Sequence, residues 1–140
     1  MSTIDAQRHR MITNAVMQRP DAIVDTTIHL WERFAAELIL IIGEGGFQSL
    51  YSRSLHLTGA TFPWMTAEHA TQPAESRFAG LRASLAGRDA KEAGEASIAL
   101  LATFIDILSV LIGELLTTRI LRSAWGDDAL NTAAKEIHNE

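Results

Sequence analysis

The sequence predicts an all-α domain: an antiparallel four-helix bundle with two long central helices and no sheet. The first observation behind this is the apolar stretch from Ile98 to Leu121. Ile98, Leu101, Ile105, Leu108, Ile112 and Leu115 recur at helical spacing, and Leu100, Phe104, Ile107, Leu111 and Leu121 form a second line beside them. Only Ala99, Ala102, Asp106, Ser109, Gly113 and Thr117 remain as a narrow strip. A helix so apolar is expected to be buried on nearly all sides, in a bundle centre or a subunit interface. The second observation is an internal echo. Ile42-Gly43-Glu44 recurs as Ile112-Gly113-Glu114, and the same offset aligns Phe34 with Phe104, Leu38 with Leu108, Ile41 with Leu111 and Leu50 with Ile120. The echo implies two helical hairpins related by a pseudo-two-fold axis. Gly43 and Gly113 would then mark the crossing of the long helices, with Glu44 and Glu114 near it.

The elements follow in order as one helical domain over residues 1–140. Ser2-Thr3-Ile4-Asp5 reads as a capped start, and a weakly amphipathic first helix is expected over 3–18 on Ile4, Met11, Ile12, Ala15 and Val16. Pro20 suits the first turn of the next helix. That helix is expected over 21–57, with Val24, Ile28, Trp31, Ala35, Leu38 and Ile42 as its apolar line and Asp25, His29, Glu32 and Arg33 opposite. Its polar face ends at Leu38-Ile39-Leu40-Ile41-Ile42. Gly43, Gly45 and Gly46 follow, each costing about 1 kcal/mol relative to Ala in a helix interior. They imply a kink, a break or a close backbone approach near 43–46. Phe47, Leu50, Tyr51 and Leu55 then resume the helical spacing.

Thr58 to Gln72 is the long loop. It holds Phe62-Pro63-Trp64-Met65, expected to fold back over the open end of the bundle, and a helical turn at 66–70. Pro73 opens a third helix over 73–86 along Phe78, Leu81 and Leu85, and Gly87 ends it. Asp89 with Glu92 is a capping-box-like start for a fourth helix over 90–124. That helix would be ~50 Å long at 1.5 Å per residue unless Gly94 or Gly113 bends it. Gly126 is a C-terminal stop, and a short helix is expected over 128–138.

Composition excludes several classes of chemistry. The chain has no cysteine, which removes disulfides, thiol catalysis and cysteine-ligated metal. Its formal net charge is −5, and its ten Arg and two Lys are scattered, so no nucleic-acid partner is expected. No basic-then-apolar leader opens the sequence, and a cytoplasmic location is the expectation. The stretch 98–121 is long enough for a membrane span, which needs ~20 apolar residues. Asp106 lies near its middle and Glu114 near its end, and a carboxylate at bilayer depth costs about 2.5–3.5 kcal/mol. No membrane span is therefore expected.

Candidate chemistry is thin. Di-metal bundles use Glu-x-x-His motifs, and this chain has none, so no metal and no cofactor are expected. Glu44 and Glu114 are expected to pair with Arg53 or Arg119, or to reach water. Asp106 is expected either to have a polar partner such as Ser109, a histidine or an arginine, or to have a raised pKa. The glycine cluster lacks the Lys-Ser/Thr of a phosphate loop and follows a helix rather than a strand. The five histidines, His9, His29, His56, His69 and His138, have no metal-ligand spacing, and His29 beside Glu32 and Arg33 is the most relay-like of them. The expected function is a non-enzymatic helical protein-interaction or regulatory module that forms a homodimer. The alternative is a small-molecule or metal-binding bundle with a pocket between the second and fourth helices, lined by Glu44, Tyr51, Trp64, Asp106 and Glu114.

Overall fold

The computed structural model describes residues 3–65 and 78–125, with the side chains of 3–6 excepted. The expected turn at 66–70, the start of the third helix at 73–77 and the last helix at 128–138 lie outside the described residues. The described chain is all-α, with no strand. Helix α1 spans Thr3–Val16. A 3₁₀ turn, Pro20–Ala22, separates it from α2, Ile23–Gly59. A second 3₁₀ turn, Pro63–Met65, precedes α3, Ala79–Ala86, and α4, Ala90–Ile112. A last helical segment, α5, covers 114–125.

The kink expected near 43–46 falls at Gly43, and the fourth helix bends at Gly113, but at both glycines the helix reverses, so neither remains one long rod. Gly43 sits at φ 84°, ψ 164° inside α2. Trp31 and Tyr51 lie 20 residues apart in α2, and a straight helix would separate them by ~30 Å at 1.5 Å per residue. Their ring centroids are 5.2 Å apart. The limb 44–59 therefore folds back along the limb 23–42. Gly113, at φ 96°, ψ 156°, divides the expected helix over 90–124 in the same way. Phe104 and Trp125 flank it, and both rings pack on Phe34, at 5.5 Å and 6.2 Å.

The physical cause is the backbone and not close approach. A Cβ added at Gly43 or Gly113 meets no atom within 4 Å. What excludes other residues is the positive φ with extended ψ, a region open essentially to glycine alone. Each glycine ends one helix and starts the next within a single residue. At the second elbow the Gly113 N–H donates to the Ser109 carbonyl at 2.9 Å, and the Thr117 N–H donates to the Gly113 carbonyl at 3.1 Å. Glu44 and Glu114 then stand at the first position of a new helix, where a carboxylate complements the dipole. Gly45 and Gly46 carry no positive φ and lie within the second limb.

The core forms where these segments meet. Trp31 is fully buried, and its ring touches Phe34, Phe47, Tyr51, Phe78 and Phe104. Leu38, Leu100, Leu101 and Leu108 fill the space around the rings. At the far end of α5 the Trp125 indole N–H donates to the Leu30 carbonyl at 3.1 Å, and Arg33 donates to the Ala124 carbonyl. A cation at a helix C-terminus is favourable there. The α4 start follows the sequence, since the Glu92 N–H donates to the Asp89 carboxylate at 2.8 Å. Met65 is buried, and Phe62 and Trp64 pack against the core.

These backbone requirements separate the glycines by experiment. Gly43→Ala and Gly113→Ala should each lower the unfolding free energy by about 1–3 kcal/mol in urea titration. Gly45→Ala, in open space on a helical backbone, should raise it by about 0.5–1 kcal/mol.

Candidate functional site

The two elbows lie side by side. Ile42, next to the first, and Leu111 and Ile112, next to the second, line one cavity of 420 Å³ between the 44–59 limb and the end of α4. Around the elbows the apolar residues turn outward. Leu40 is 85% exposed, Ile41 50%, Val110 84%, Leu111 65%, Leu115 85% and Leu116 37%. The expectation that the stretch 98–121 is buried on nearly all sides holds for Leu100, Leu101, Phe104, Ile105 and Leu108. It fails from Val110 to Leu116, because the reversal at Gly113 turns that part out of the core. By length and composition α4 is able to cross a bilayer, as the core helix of a soluble protein often is. A cluster of six large aliphatic side chains at one end makes a patch on the order of several hundred Å², the size that marks interaction surfaces.

An arginine that the sequence left among the scattered charges organises the rim of this patch. Arg8 of α1 is buried, with 6% of its side chain exposed. Its guanidinium donates to Asp106 at 3.1 Å and also to Glu114, so one cation bridges carboxylates on both sides of the Gly113 elbow. The partners expected for Glu114, Arg53 or Arg119, are thus replaced by Arg8, and Asp106 finds an arginine. Ser109 donates instead to the Asp106 backbone carbonyl at 2.9 Å. No spacing in the sequence points to Arg8, since it lies 98 and 106 residues from its partners. The only sequence signal was the need of Asp106 for a polar partner, with Ser109, a histidine or an arginine as candidates.

The five candidate pocket residues do not form one site. Asp106 and Glu114 meet at Arg8. Glu44 is exposed at the first elbow. Tyr51 is in the aromatic core, where it stacks on Phe47 at 5.9 Å and meets Phe78 edge-on at 5.5 Å. Trp64 packs on Phe62, and the Arg88 guanidinium sits 4.7 Å from its ring centroid. None of the five lines the 420 Å³ cavity. Its walls are Gly46, Leu50 and Arg53 on one side and Ile107, Leu108 and Leu111 on the other. Among the described residues, no group of three or more acidic or histidine side chains is placed to hold a metal ion. No protein-family model, curated protein or solved structure matches this chain.

Two measurements follow from these contacts. Burial pushes the Tyr51 phenol well above its ordinary value of 10.0. The associated stability is therefore complete below pH 10 and is lost as the pH rises further, where only the unfolded chain ionises this group. The urea midpoint should fall above pH 10, and Tyr51→Phe should remove that component of the fall. Arg8→Ala leaves two carboxylates without their shared cation, and it should cost about 1–2 kcal/mol in urea titration and speed amide exchange in α1. Asp106, 68% exposed, tolerates loss of the pair better, and Asp106→Asn should cost about 0.5 kcal/mol or less.

Proposed function

We propose that this protein is a non-enzymatic, self-associating helical module whose homodimer face is the apolar end at the two glycine elbows. The observation that carries the proposal is the clustering of Leu40, Ile41, Val110, Leu111, Leu115 and Leu116 around Gly43 and Gly113. Loops that merely connect helices are polar. These elbows are flanked by the most apolar turns of the chain. A patch of this kind is stable in water when a second surface covers it, and a standard interface takes about 800 Å² from each partner. A second copy is the simplest cover, because a two-fold contact needs only one self-complementary surface.

The internal echo supports the same reading. At the offset of 70, Phe34 and Phe104 stand nine residues before their elbows and pack against each other with centroids 5.5 Å apart. Leu40 and Val110 are exposed alike, Leu38 and Leu108 are buried alike, and so are Leu50 and Ile120. We read this as two hairpins about a pseudo-two-fold axis near the Phe34–Phe104 contact, with both elbows at one end. The four long segments, 23–42, 44–59, α4 and α5, then make the four-helix core, and α1 clasps it through Arg8. Such a unit acts through contacts and suits a regulatory role in the cytoplasm.

Sedimentation equilibrium tests the face directly. The wild-type protein should run as a dimer, and Leu115→Glu should give a folded monomer with an unchanged helical spectrum. Leu57, 45% exposed, lies 14 residues beyond the first elbow, and Leu57→Glu should leave the dimer intact. A wild-type monomer at high micromolar concentration would overturn the proposal.

A further inference from the structure

The groove beside Gly46 has a chemistry of its own, distinct from that of the exposed end. Gly46, Ser49, Leu50 and Arg53 recur at helical spacing along the limb 44–59 and face Ile107, Leu108 and Leu111 of α4. Leu50 and Leu108 are buried and form the floor. Gly46 opens the groove by having no side chain. Seventy residues on, at the corresponding place after the second elbow, stands Leu116. Its volume, 420 Å³, lies within the ~300–1,000 Å³ of small-molecule sites. Arg53 is the one charged residue in the lining, and it makes no ion pair among the described residues. It stands ten residues past Gly43, about 15 Å along the helix axis.

We infer that this groove binds a free single-chain fatty carboxylate, with its head group on Arg53 and its aliphatic tail running toward the glycine elbows. The span of about 15 Å matches an extended chain of roughly ten to twelve carbons. The walls offer such a chain Ile, Leu and glycine surface and no buried polar group to leave unpaired. The Arg53 guanidinium is suited to a carboxylate, since its planar fork donates two parallel hydrogen bonds to the two oxygens. Ser49 supplies a further hydroxyl beside it. A two-chain lipid would need a wider trough than one helix pair provides.

Titration calorimetry of the full chain with sodium dodecanoate below its micellar concentration tests the inference. Saturable binding of one dodecanoate per chain is expected. Arg53→Glu should weaken it by about tenfold or more, and Arg53→Lys should restore most of it. Gly46→Leu, which places a side chain in the groove, should abolish it. Dodecyltrimethylammonium, with the same tail and the opposite charge, should bind at least about tenfold more weakly than dodecanoate. The Leu115→Glu variant should bind dodecanoate as the wild type does, so the groove is tested apart from the dimer. Equal affinity for the two amphiphiles, or binding indifferent to Arg53→Glu, would mean adsorption to the apolar end and would overturn the assignment. So would the absence of saturable binding, including the case in which the protein instead sediments with anionic phospholipid vesicles.

Discussion

At Gly43 and Gly113 the chain passes through a positive φ with an extended ψ, and the positions of all the other elements depend on these two residues. A helix that reverses in a single residue brings its two limbs into contact with no loop between them. Side chains 16 and 20 residues apart become neighbours, which is how Trp31 reaches Phe47 and Tyr51 on the returning limb. Without the first elbow the limb 44–59 would run on into solvent with Phe47, Leu50 and Leu55 uncovered. Without the second, Ile120, Leu121 and Trp125 would leave the core. The backbone strain belongs to two positions, whereas the burial it makes possible belongs to most of the chain.

A reversal this tight has a second consequence. The residues nearest the elbow are carried outward whatever their character, because the turn has no loop to replace them with polar ones. Here they are Leu, Ile and Val. The same geometry puts Glu44 and Glu114 at helix starts beside that apolar surface. Asp106 adds a third carboxylate on the last turns of α4. Arg8 answers two of these three with one guanidinium and pins α1 across the second elbow. The cation beside Asp106 and Glu114 thus offsets part of the negative charge next to the apolar end.

Much of this was legible in the sequence, and the failures have definite causes. The all-α class followed from helical periodicity with no alternating segments, and the α4 start followed from Asp89 and Glu92. The importance of 43–46 was visible in three glycines breaking an apolar run. Which of them turns the chain was not visible, because a helix-breaking propensity does not say which residue takes the positive φ. Gly113 was harder still: a single glycine in a long apolar helix costs little, and only its echo of Ile42-Gly43-Glu44 marked it. The candidate pocket residues are dispersed in the fold because Tyr51 and Trp64 were grouped with carboxylates on polarity alone. The aromatic cluster that claims Tyr51 exists only after the reversal. Arg8 was missed for the same reason, since its partners lie about a hundred residues away and meet it only once α4 and α5 fold against each other.

The two halves of the chain are alike in their elbows and differ just beyond them, and the difference bears on what each half does. After Gly43-Glu44 come Gly45 and Gly46. After Gly113-Glu114 come Leu115 and Leu116. Closely similar backbone reversals thus lead into a first turn with two glycines in one case and two exposed leucines in the other. Gly46 is needed where it stands, because a Cβ there would lie 3.3 Å from the Ile42 side chain across the elbow, whereas a Cβ at Gly45 would meet nothing within 4 Å, so stability gives no reason for glycine at 45. It gives no reason either for leucine at 85% exposure. Gly45 and Leu115 are not choices that the packing of the isolated chain calls for, and sequences depart from local consistency in this way mainly where a surface is used. The first half keeps a groove open beside Arg53, and the second adds Leu115 and Leu116 to the exposed apolar end, so one folding device presents two different surfaces at the same end of the molecule.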